Sequence, residues 1–127
     1  MNSPGLTQRI EWIEAGYEYL LAYAAQGRRD DAGSEVRRTL SQMQLALDGL
    51  GEVVTATFTA TGKPADGGAF LEAVSRDART AHGAISLVLT RSAISSLLID
   101  NLNASIHLRA LLTDLFLIDQ ALKVPPG

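Results

Sequence analysis

The sequence predicts an all-α fold, most simply an antiparallel four-helix bundle, and three observations predict it. Apolar residues recur at spacings of three and four along most of the chain, the period of a single helical face. Glycine and proline gather at a few places and leave long uninterrupted segments between them. The one stretch that alternates with period two, "VVTATFTATG", has no neighbour that reads as a strand, so a ladder partner is missing.

The first helix is expected over about residues 6–26. Leu6, Ile10, Ile13, Tyr17, Leu20 and Ala24 form its apolar face, "NSPG" precedes it and Gly27 stops it. "GRRDDAGS" then reads as a loop, with Ser34 or one of the aspartates capping the next helix. The second helix is expected over about 34–61, on the stripe Val36, Leu40, Met43, Leu47, Leu50 and Val54. Gly49 and Gly51 fall inside it, each costing about 1 kcal/mol of helix propensity, and would let a neighbouring helix approach closely. "VVTATFTATG" is assigned to the end of this helix. "GKPADGG" is the strongest breaker and divides the chain into two helical halves within a single domain, residues 1–127.

The third helix is expected over about 69–100, with Leu71, Val74, Ala78, Ala81, Ile85 and Val88 inward, and the fourth over about 104–123. The boundary between them has two candidates, near residue 91 and near residue 101. Asp and Asn compete for backbone hydrogen bonds, which favours the second, "DNLNAS". A continuous helix is the alternative, because Leu87, Ile94, Leu97, Ala104 and Leu108 stay in phase. A helix that long would require a partner chain, and a long C-terminal helical hairpin used in oligomerisation is a variant of the bundle. "KVPPG" ends the last helix.

A chain of 127 residues is long enough for one domain and buries roughly 65–70% of its unfolded surface. Hydrophobic residues make up 46% and charged residues 20%, a globular balance. With no cysteine there is no disulfide framework, thiolate metal site or cysteine nucleophile. The net charge of −3 argues against nucleic acid as a partner, because phosphate neutralisation needs a basic surface. The chain has no apolar run of membrane-spanning length and starts without a signal pattern, so a cytoplasmic protein is expected.

Little in the chain reads as chemistry. "RDARTAH" holds Arg76, Arg79 and His82. The Arg76-x5-His82 spacing resembles the helical nuclease family known as HEPN, whose members set an arginine and a histidine around a cleft at a dimer interface. That family's usual form is Arg-Asn-x3-His; here Asp77 replaces the asparagine and the spacing is one residue longer. The resemblance implies an RNA-acting enzyme using Arg76, Arg79 and His82. On a regular helix Arg76 and His82 lie about 240° apart, so only a local break would bring them together. The plain alternative is the solvated side of the third helix.

His82 is also similar to the phosphoryl-accepting histidine of helical phosphotransfer domains, which carry a lysine and a glycine shortly after it. Ile85 and Ser86 stand at those places. Neither histidine has a glutamate three residues before it, and Glu11, Glu14 and Glu18 form a solvated stripe, so no metal is expected. "GKPADGG" lacks the upstream glycine and following hydroxyl of a phosphate loop. No cofactor and no catalytic residue are assigned.

Two features point to protein contact. Trp12, Tyr19 and Tyr23 form an aromatic stripe beside the apolar face of the first helix, and aromatic residues dominate interface hot spots. The fourth helix is apolar over most of its circumference, because Leu112, Phe116 and Leu117 widen the stripe of Leu108, Leu111, Leu115, Ile118 and Leu122. The leading expectation is a small cytoplasmic helical module for protein–protein interaction, as adaptor, chaperone-like factor or homo-oligomeric subunit. A dimer is its simplest form, with Trp12, Tyr19, Tyr23, Leu112, Phe116 and Leu117 at the interface. Carriage of a small apolar ligand inside the bundle is a further alternative.

Overall fold

A computed structural model describes residues 4–60 and 67–125. The described residues are helical and contain no strand: α1 (Leu6–Ala24), α2 (Val36–Leu47), α3 (Leu50–Thr59), α4 (Gly68–Leu89), α5 (Ser96–Ile106) and α6 (Leu108–Leu122). Residues 62–66 of the "GKPADGG" segment lie outside the described residues, as do residue 61 and residues 126–127 of the terminal "KVPPG".

The four uninterrupted helices expected from periodicity are not what forms. The second is broken at Asp48 and Gly49. Gly49 takes φ +69°, a left-handed conformation that glycine adopts without a Cβ penalty, and α3 restarts from it. The stripe stays in register across the break, so Val36, Leu40, Met43, Leu47, Leu50 and Val54 are all buried. "VVTATFT" is helical, within α3.

The C-terminal boundaries also move. The third helix stops at Leu89 rather than near residue 100, and "DNLNAS" lies inside α5. Ser95 supplies the start signal there, its Oγ accepting from the Leu98 amide at 3.0 Å. A second break falls at His107, the one non-glycine residue with positive φ (+48°) among those described. These breaks exclude a continuous helix over 69–123, and they release Leu87 and Leu97 to solvent, where both are exposed.

α1 and α4 organise the packing, each lying against α2, α3, α5 and α6. Small residues set the spacing where helices meet. Gly51 on α3 faces Ser75 on α4, and a Cβ on Gly51 would come within 3.0 Å of the Ser75 Cα. Gly16 on α1 receives the Met43 side chain of α2 in the same way.

The loops at one end are tied together. The Asp31 carboxylate accepts from the Ile94 amide (2.9 Å) and from the Arg37 guanidinium (2.7 Å). Arg37 also donates to the carbonyls of Leu89 and Arg91, closing the end of α4. Buried Ser96 donates from Oγ to the Tyr23 carbonyl (2.7 Å) and accepts from the Arg28 amide (2.8 Å). Near the opposite end of α2, buried Arg9 donates to the carbonyls of Ala46 (3.2 Å) and Asp48 (2.5 Å). These are the unpaired acceptors of a helix C-terminus, where a cation is favoured.

Candidate functional site

The polar residues singled out in the sequence sit on α4, which runs without a break from Gly68 to Leu89. No local kink therefore realigns Arg76 with His82. Arg76 and Arg79 are exposed and His82 is half-buried. Arg79 donates to Ser75 Oγ one turn back, at 2.9 Å. Among the described residues, no group of three or more histidines and acidic residues is placed to hold a metal ion.

The aromatic stripe divides on folding. Tyr23 belongs to the core and leaves the candidate surface: its ring is fully buried and its hydroxyl donates to the Ile94 carbonyl at 2.5 Å. Tyr19 is half-buried, stacks on Tyr23 with ring centroids 6.1 Å apart, and accepts the Glu35 amide on its hydroxyl. Trp12 is half-buried against the core.

The wide apolar surface of α6 divides as well. Leu112 is 5% exposed and packs inward with Leu108, Leu111, Leu115 and Ile118, so it too leaves the surface set. Phe116 (42% exposed) and Leu117 (59%) point outward, and Val124 (67%), just beyond the helix, is exposed as well. Charge on this outer side is sparse: Lys123 pairs with Asp119 at 3.1 Å, and Arg109 stands at the far end.

A groove that the sequence did not indicate runs between α1 and the α5–α6 pair. It consists of two adjoining shallow clefts of about 560 and about 400 Å³, which share Tyr17 and Asn103. His107, Arg109, Thr113 and Asp114 line the first cleft. Leu21, Ala24, Ala25, Asp100 and Ala104 line the second. Both polar atoms of the Asn103 carboxamide are buried without a hydrogen-bond partner, which is costly in a folded protein. Burial, and after it the Asp77 carboxylate across on α4, push the Asp114 carboxyl above its ordinary pKa.

Asp31, in the loop cluster, shifts the other way. The hydrogen bond from Ile94, followed by that from Arg37, holds its carboxyl below the usual range. Every polar group named in that cluster is already engaged within the chain, so it works as a fastener between loops.

No described helix is long and apolar enough to cross a membrane. No protein-family model matches the chain, and neither the curated proteins nor the solved structures give a significant match to it.

Proposed function

We propose that this protein is a helical interaction module that pairs with a second copy of itself through the outer side of α6. The observation that carries this reading is that α6 is apolar on both sides. Its inner stripe is consumed by the core, while Phe116, Leu117 and Val124 stand in solvent. Exposed clusters of this kind lower their free energy by leaving water together. A second copy is the favoured occupant because the C-terminal half of this side carries no unpaired charge, Lys123 being bridged to Asp119. Two copies of a chain with net charge −3 can thus meet there without opposing like charges. Trp12 and Tyr19, both partly accessible, flank the core elsewhere and are secondary candidates.

The underlying architecture is read as a bundle of four columns with two of them interrupted. The packing pairs α1–α2, α2–α4, α4–α5 and α5–α1 close one ring, and α1–α3, α3–α4, α4–α6 and α6–α1 close a second. α2 with α3, and α5 with α6, then act as kinked single columns. An enzyme using Arg76, Arg79 and His82 has less support, because regular α4 keeps Arg76 and His82 on different sides.

Sedimentation equilibrium of the wild type against Leu117→Asp and Phe116→Asp tests the reading. A dimer that becomes a folded monomer in both variants supports it. A wild-type monomer at every concentration, or an unchanged dimer in both variants, overturns it.

A further inference from the structure

Two local costs fall at the joint between α5 and α6. His107 alone links the two helices and holds φ +48°, ψ +43°, a left-handed conformation that is unfavourable for a residue with a Cβ. Its exposed side chain makes no hydrogen bond or ion pair among the described residues to offset this. One turn earlier, both polar atoms of the Asn103 carboxamide are buried without a partner, beside residues 108–110 at the start of α6.

The left-handed residue reconciles two faces that a regular helix would separate. On a straight helix from Ser96 to Leu122, the α5 stripe (Ile99, Leu102, Ile106) and the α6 stripe (Leu108, Leu111, Leu115, Ile118) would lie about 180° apart. In the structure both stripes are buried, and both helices pack on α1 and α4. With the joint straight, α5 stays in its own core and the α6 stripe turns towards the side where Phe116 and Leu117 now stand. The second copy lies on that side.

We propose that the second copy is bound by exchange of α6: the joint straightens at His107, and each α6 enters the other copy's core in place of the helix that left it. The exchange rests on the pairing through α6 described above and adds how it is made. It rebuilds the α1–α6 and α4–α6 packing between chains, so that packing does not decide between the closed and exchanged forms. The joint decides. A straight joint returns His107 to helical φ and ψ and turns residues 108–110 away from Asn103, so that water reaches the carboxamide. A short connection under backbone strain favours opening of this kind. The two exchanged helices then lie back to back between the two cores, which keeps Phe116 and Leu117 in the interface.

The test unfolds isotope-labelled and unlabelled wild-type chains together in guanidinium, refolds them at high protein concentration and isolates the dimer. The expected result is interchain NOEs from the Leu111 and Leu115 methyls to α1 and α4. A dimer in which those NOEs arise within one chain, and only Phe116 and Leu117 report on the partner, overturns the exchange and leaves the surface pairing intact. No dimer at any concentration overturns both.

His107→Gly and His107→Ala supply a second readout, the dimer dissociation constant after refolding at a series of concentrations. Glycine relieves the closed joint and weakens a straight helix, and alanine does the reverse. Glycine should weaken the dimer by about tenfold and alanine should tighten it by about tenfold. Neither substitution touches the outer side of α6, so pairing by surfaces alone would be unmoved. Equal dissociation constants, or tighter association of the glycine variant, overturn the exchange.

Discussion

Replacing Gly51 by alanine sets two known effects of opposite sign against each other at one atom. In an exposed helix, Gly→Ala is stabilising by about 1 kcal/mol through helix propensity. At Gly51 the new Cβ would lie 2.5 Å from the Ser75 Cβ and 3.0 Å from the Ser75 Cα, against an ordinary contact of 3.4–4 Å. One of those atoms is backbone, so a rotamer change cannot relieve the contact and α3 must move from α4. Overpacking costs about 1–3 kcal/mol, and against a backbone atom the upper part of that range, about 2–3 kcal/mol, applies, so the net expectation is a loss of about 1–2 kcal/mol. For a chain of this size that lowers Tm by roughly 3–10 °C. Thermal and guanidinium unfolding followed by circular dichroism would measure it. Ser75→Gly in the same chain should recover part of the loss, since it removes the nearest atoms. A Gly51→Ala protein as stable as wild type, or more so, would refute the claim that α3 and α4 meet backbone to backbone here.

Other outcomes follow from the same packing. Leu112→Asp should unfold the chain, because a charge would enter the core, whereas Leu117→Asp should leave a folded monomer, with the monomer's own stability changed by no more than about 0.5 kcal/mol; equal behaviour of the two would contradict the assignment of sides on α6. Arg9→Ala should cost about 2 kcal/mol by leaving the Ala46 and Asp48 carbonyls unpaired, read as a lower denaturation midpoint. Asp31 has a folded-state pKa below its unfolded value, so its contribution is complete above the unfolded value and disappears as pH falls through the folded one; Asp31→Asn should flatten that acid limb. Asp114 has the opposite sign. Its folded-state pKa is raised, so its charge works against the fold above that value, and Asp114→Asn should raise the melting temperature at neutral pH.

Much of the helical content was legible because burial leaves a periodic trace. The α2–α3 stripe from Val36 to Val54 was read correctly and is buried throughout. Its interruption was not, because a single left-handed Gly49 turns the chain without disturbing the phase of the apolar residues on either side. The stop at Leu89 falls at the candidate boundary near residue 91, which is passed over in favour of the one near residue 101 for a different reason. It depends on Arg37 and Asp31, 52 and 63 residues away from the groups they bind, and local propensity carries no record of such contacts.

The same limit applies to the surfaces. Tyr23 and Leu112 lie at the margin of their helical stripes, where one side of a helix passes into the next, and only the position of neighbouring helices decided that both are covered. Of Leu112, Phe116 and Leu117, which widen the apolar stripe of α6 in the sequence, Leu112 is buried and the other two are exposed, since α6 has more such residues than one core face can absorb. The groove had no sequence signature. "DNLNAS" drew attention as a turn, but the isolation of Asn103 follows from where α1 and α6 come to rest.

The loop fastener built by Asp31, Arg37, Tyr23 and Ser96 reverses the usual expectation about where a helical protein tolerates added sequence. Inter-helix loops are ordinarily the places to splice a tag, a reporter or a second domain. Residues 28–37 and 89–96 are instead a latch between distant parts of the chain, and lengthening either would pull its carbonyls and amides out of register. An insertion scan should therefore find these short polar loops among the least permissive positions in the molecule.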